Sequence, residues 1–226
     1  LLIAFVPTKL SAAQTRLTAF IFSGASLIWT VRIFAQFDLS NAGFQMSEFM
    51  PWLPPLCLNY SLGIDGLSLM MIFLNSLLTW IAIYSSAENI ERPRFFYSLV
   101  LLVSGGVAGA FLSQNLLLFF LLFEIELIPL YFLVSIWGGP KKEYAATKFL
   151  LYTALAGALI LRAFLGTALA ADTLNFAYQD LTQIQLPRSV QVALLSILLV
   201  GFGIKIPLVP FHTWLPATYV AASPPV

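Results

Sequence analysis

The sequence predicts an all-α polytopic membrane protein forming a single transmembrane domain over residues 1–226. Three observations carry that expectation. Sixty per cent of the residues are hydrophobic and 9% are charged, against about 25% charged in an ordinary soluble domain. The apolar residues come in long runs, and a helix needs about 20 of them to cross a bilayer. No run alternates as a barrel strand does, and a chain in lipid must satisfy its backbone hydrogen bonds within each segment, which leaves helices.

About seven spans follow in order. Residues 1–6 read as the tail of a first helix, with Lys9 and Arg16 in the loop after it. The opening LLIAFVPTKL lacks both a methionine and the charged region that starts a signal peptide. The closing AASPPV has no terminating feature, so both ends read as incomplete. The second span is 17–34, and residues 35–62, rich in proline and aromatics, read as loop or interfacial segments. The third span is 64–84, the fourth 95–112, the fifth 116–137 and the sixth 144–170. A loop over 171–188 leads to the seventh, 190–214.

The basic residues test this parsing. Lys9, Arg16, Arg92, Arg94, Lys141, Lys142 and Lys148 fall on one side, and Arg32 and Arg188 near the other. Such a bias marks the first side as cytoplasmic. Trp29, Trp80, Trp137 and Trp214 fall toward span ends, where interfacial anchors are expected. Net charge is +1, which gives no footprint for nucleic acid. Cys57 is the only cysteine and His212 the only histidine, so neither a disulfide framework nor a cysteine or histidine metal site is expected.

The residues a bilayer should exclude carry the functional signal. Lys205 lies near the middle of the seventh span, followed by Pro207 and Pro210. A lysine there costs about 2.5–3.5 kcal/mol on insertion scales, and the prolines should break the helix just past it. Glu124 and Glu126 lie in the fifth span. Two residues apart on a continuous helix is about 200°, so they are expected to face different neighbours. Pro129 should loosen the backbone beside them. Either acid can serve as a proton-relay carboxylate or as an interhelical contact. A Glu–Lys pair whose spacing changes would move protons.

Other polar residues read less sharply. Lys148, in the first turn of the sixth span, either snorkels or joins a relay. His212 either passes protons or caps. Arg162 either pairs with an acid or meets a wet surface, and Asp65 most simply caps a helix. The small residues SGGVAG over 104–109 predict close helix packing, without the strand-then-helix context of a nucleotide loop.

Four stretches then carry a resemblance: SLGIDGLSLMMIFLNSLLT, FLSQNLLLFFLLFEIELIPLYFLVSIWGG, KKEYAATKFLLYTA and GFGIKIPLVPFHTWLP. Over residues 55–216 they resemble the antiporter-like membrane subunits of complex I. They are most similar to the D subunits of the cyanobacterial and chloroplast NAD(P)H dehydrogenase complex. VSGGVAGAFLSQNLLLFF and GIKIPLVPFHTWLP are closer in wording to the carbon-dioxide-uptake variants.

The resemblance implies the N-terminal part of a larger antiporter-like bundle with inverted repeats and a broken seventh helix. It places the family's channel glutamate on Glu124, through the F-E-x-x-L-I-P-x-Y pattern, and its channel lysine on Lys205. Where the family has Asp, His and Glu after HTWLP, this chain has Ala217, Tyr219 and Ala221.

The implied function is a proton-translocating subunit of an NAD(P)H or ferredoxin:plastoquinone oxidoreductase in a thylakoid membrane, with no redox chemistry or cofactor in this chain. Plastoquinone, NAD(P)H or ferredoxin and iron–sulfur clusters would serve other subunits, and the partners would be those membrane subunits and the bilayer. The alternatives are a subunit of a multi-subunit Na+/H+ antiporter, which shares the motifs, and a structural anchor whose buried charges only hold helices together.

Overall fold

A computed structural model describes residues 11–41, 43–87, 89–173 and 175–225. The expected first helix tail and Lys9 lie outside the described residues. Six helical segments among those described are long and apolar enough to cross a membrane.

Helix α1 (Ala12–Gln36) starts on a capping box: the Gln14 N–H donates to Ser11 Oγ at 3.2 Å, and the Ser11 N–H to Gln14 Oε1 at 2.9 Å. The segment expected to be loop or interfacial instead contains a hairpin. Strands β1 (Gln45–Leu53) and β2 (Leu58–Ile64) pair antiparallel, with Met50 opposite Tyr60. A 3-10 turn over Pro54–Leu56 reverses the chain, and Pro51 is tolerated because each strand has a free edge.

Asp65 caps α2 (Gly66–Ser85) as expected, accepting from the Ser68 N–H at 2.7 Å. Helix α3 (Pro93–Leu112) has proline in its first turn, where no N–H is needed. The fifth expected span is two helices, α4 (Leu116–Glu124) and α5 (Leu127–Trp137). Helix α6 (Lys142–Ala170) is the longest. The expected loop after it holds a short helix, α7 (Tyr178–Leu181). Helix α8 (Arg188–Lys205) ends well short of the expected boundary at 214. After a 3-10 turn over Phe211–Thr213, α9 (Trp214–Ala221) follows.

The two ends of the bundle differ. At one, the hairpin is tied to the α3–α4 turn and the segment before α7: the Gln114 N–H donates to Ser61 O at 2.9 Å, and the Tyr178 N–H to Gln114 O at 2.9 Å. At the other, Arg16 donates to Tyr84 O at 2.6 Å and Trp137 Nε1 to Glu91 O at 2.7 Å. Arg92 and Lys141 cap α3 and α6 at this end, so most of the basic loop residues gather there.

Small residues set the helix spacing, as the 104–109 stretch predicts. A Cβ on Gly106 would meet Ile125 Cγ2 at 2.3 Å, and one on Gly109 would meet Leu122 at 2.9 Å. One on Gly201 of α8 would meet Ile160 of α6 at 2.8 Å. Large apolar side chains such as Ile28, Leu155 and Leu199 point outward, where a bilayer or neighbouring membrane protein would cover them. Trp214 is only 7% exposed, packed on Phe149 with ring centroids 5.5 Å apart.

Candidate functional site: two facing helix breaks

Two helices are interrupted beside each other, for the same covalent reason. In the α4–α5 segment the Ile125 N–H still donates to Leu121 O at 3.1 Å, and the Leu130 N–H to Glu126 O at 3.0 Å. Pro129 has no N–H to give the Ile125 carbonyl, and Ile125 and Glu126 form a turn between the two helices. In α8 the last residue is Lys205, and Pro207 removes the next donor. Trp214 Nε1 donates to Ile204 O at 2.8 Å and satisfies one carbonyl that the helix end exposes.

The breaks bring three charges together. Lys205 Nζ lies 2.9 Å from Glu124 Oε1 and 3.9 Å from Glu126 Oε1. It also sits over the Phe123 ring, 3.6 Å from the centroid, a favourable place for a cation. The Lys205 side chain is 9% exposed, that of Glu124 18% and that of Glu126 21%. Beyond this ion pair the buried Glu124 Oε1 makes no hydrogen bond among the described residues. The expectation that the two acids face apart is therefore corrected. It assumed a continuous helix, and the turn at Ile125–Glu126 swings both carboxylates toward the lysine.

Gly157 of α6 makes the room for this cluster. A Cβ there would stand 2.7 Å from Glu124 Cδ and from both of its carboxylate oxygens. A cavity of about 150 Å³ adjoins the cluster, lined by Glu126, Lys205 and Thr153 with Leu127, Leu130, Phe149 and Trp214. One ammonium and two carboxylates in such a space can hold or release a proton with little motion. With all three ionised the net charge is −1, and a proton on either acid neutralises it.

The other candidates lie outside the cluster. Lys148 is half-buried between Tyr144 and Tyr152, its Nζ 5.8 and 5.9 Å from the ring centroids. His212 is exposed in the 3-10 turn. Arg162 is exposed on the outer face of α6. Among the described residues none of these three is paired with an acid. Ala217, Tyr219 and Ala221 lie on α9, and Ala217 and Ala221 pack with Val134, Ala145 and Ala146. Apolar packing thus occupies two of the positions where the resemblance has polar residues.

Sequence reasoning missed Gly157, Phe123 and Trp214 as parts of the site. The available signals were the small residues of LYTALAGALIL, which permit a close approach, and a tryptophan following two prolines.

Known proteins share this arrangement of helices. The sequence model described as "NADH:quinone oxidoreductase/Mrp antiporter, TM" matches residues 113–226. NAD(P)H-quinone oxidoreductase chain 4 3 of Trichormus variabilis is 42% identical over 84% of this chain and 35% of its own length. Chain 4 1 of Synechococcus elongatus is 45% identical over 84% of this chain and 36% of its own. The chain thus spans about a third of the length of the curated relatives it matches. A chain of respiratory complex I from Thermus thermophilus superposes with a TM-score of 0.82 at 28% identity, over 94% of this chain and 43% of that one. A chain of the Mrp complex from Dietzia sp. shares the fold, with a TM-score of 0.81 at 18% identity over 97% of this chain and 24% of its own. With half its length matched by that model, including Glu124, Glu126 and Lys205, this chain belongs to the NADH:quinone oxidoreductase/Mrp antiporter transmembrane family.

Proposed function

We propose that the chain carries a proton-translocating site of a complex I-like NAD(P)H or ferredoxin:plastoquinone oxidoreductase. One observation carries the reading: Lys205 Nζ stands 2.9 Å from Glu124 and 3.9 Å from Glu126 where two helices break. A helix end can shift without breaking a continuous hydrogen-bond ladder. Drawing Lys205 away from Glu124 leaves an uncompensated buried charge, which is strongly unfavourable. Loss of the lysine proton, or gain of one by the acid, relieves it. Return of the lysine restores the ion pair and resets the site.

Redox chemistry belongs to other subunits in this reading. They would hold the iron–sulfur clusters, take electrons from NAD(P)H or ferredoxin and reduce plastoquinone. The chain would lie in a thylakoid membrane with its basic end on the cytoplasmic or stromal side, following the charge bias. Lys148 and His212 would act, if at all, farther along the path, because neither touches the cluster.

The names of the relatives support this reading over a Na+/H+ antiporter subunit, which the fold alone would also fit. Affinity purification of the full-length protein from its native membrane separates them. Co-purification with iron–sulfur and quinone-reducing subunits is expected; small antiporter subunits in their place would overturn the proposal.

A further inference from the structure

Three cavities in the bundle are linked by shared wall residues, the second and third opening toward its outer face. The first, about 150 Å³, holds Glu126 and Lys205 and has Leu130 in its wall. Leu130 also lines the second, about 160 Å³, whose wall is mostly apolar (Leu78, Val103 and Leu133 among others) but includes Asn75, Thr79 and Ser104. The same three polar residues line the third, about 300 Å³, which lies between α1, α2 and α3 and includes Ser23, Ser26 and Thr30.

Asn75, Thr79 and Ser104 are bonded to one another. Asn75 Nδ2 donates to Ser104 O at 3.0 Å and to Ser104 Oγ at 3.2 Å. The Thr79 hydroxyl reaches Asn75 O at 2.8 Å and Ser104 Oγ at 3.0 Å. Asn75 Oδ1 accepts nothing among the described residues. Polar groups at membrane depth need partners. Where polar groups stand in its wall, a space larger than the ~30 Å³ share of one water molecule can hold water, and each of the three exceeds that several times.

We propose that the three cavities form a hydrated side branch. It runs from Glu126, past Leu130, through the Asn75–Thr79–Ser104 contact, to the pocket between α1, α2 and α3. Water is its ligand. A proton moves along it by exchange: each water or hydroxyl oxygen accepts one proton and releases another, so no group changes its net composition. Leu130 is the apolar partition. Its N–H donates to Glu126 O at 3.0 Å, so movement at the helix break moves partition and carboxylate together. The cargo assigned to the branch rests on the proton-transfer reading above; its hydration does not.

Substituted-cysteine labelling tests it in membranes holding the full complex. In a Cys57→Ser background, Ser104→Cys is treated with a hydrophilic methanethiosulfonate reagent and read by peptide mass spectrometry of this subunit. Ala110→Cys, on the same helix but outside the three cavities, is the control. Ser104→Cys is expected to react about tenfold faster or more, because the reacting thiolate needs water. Thr79→Cys reports the same wall if Ser104→Cys does not assemble. Equal slow labelling of the wall and control cysteines means a dry wall and overturns the branch, whatever Lys205 variants do to pumping. Leu130→Ala is expected to speed labelling of Ser104→Cys severalfold further. Unchanged labelling removes Leu130 as the partition.

Discussion

The Glu124 carboxylate rests against the backbone of Gly157, so closely that a Cβ there would stand 2.7 Å from both carboxylate oxygens. The glycine thereby sets where the acid can sit relative to Lys205 Nζ. Gly157→Ala should push the carboxylate off the lysine and cost about 1–3 kcal/mol through overpacking. Thermal unfolding and coupled proton uptake of the purified complex should both fall. Normal uptake would mean that the carboxylate position is not important.

The two acids should not be equivalent. Glu124 is the nearer partner, at 2.9 Å against 3.9 Å for Glu126. Glu124→Gln should remove most coupled proton uptake, and Glu126→Gln should remove less, when each is compared at equal quinone reduction. Equal losses would contradict the assignment of Glu124 as the main partner.

Trp214 should matter through its N–H as well as its bulk. Trp214→Phe keeps an aromatic ring against Phe149 but leaves the Ile204 carbonyl without its donor. An orphaned buried acceptor costs about 1–3 kcal/mol. Denaturation of the assembled complex should show this loss, with a larger one for Trp214→Ala, which also opens a cavity.

Asn115 should hold the N-terminus of the half-helix that carries Glu124. Its Oδ1 accepts from the Leu117 and Leu118 N–H groups at 3.0 and 3.1 Å, and its Nδ2 donates to Cys57 O at 3.2 Å. Loss of such a cap costs about 0.5–2 kcal/mol. Asn115→Ala should speed amide hydrogen exchange at Leu117 and Leu118. Unchanged protection there would show that packing alone holds the helix.

Helix positions were legible because lipid demands long apolar runs. The hairpin over Gln45–Ile64 was not legible. Its prolines resemble loop, and β1 is almost wholly exposed, so no buried face imprints a period of two on it. The resemblance singled out Glu124 and Lys205 but not their contact, and spacing did not bring Glu126 beside them. The 200° separation holds only where the helix is continuous. Pro129 signalled a weak point, but its effect depends on how α3 and α6 press against the turn, through Gly106 and Gly157. Such tertiary contacts leave only faint marks in a sequence.

The most direct test of the central claim is the number of protons moved per quinone reduced in sealed membrane vesicles carrying the complex with Lys205→Ala, after native gels confirm assembly. Removing one partner of a buried ion pair costs about 3–5 kcal/mol, and the account predicts that proton movement collapses while the redox subunits can still turn over. An unchanged proton-to-quinone ratio would contradict it and reduce the Glu124–Glu126–Lys205 cluster to a structural tie.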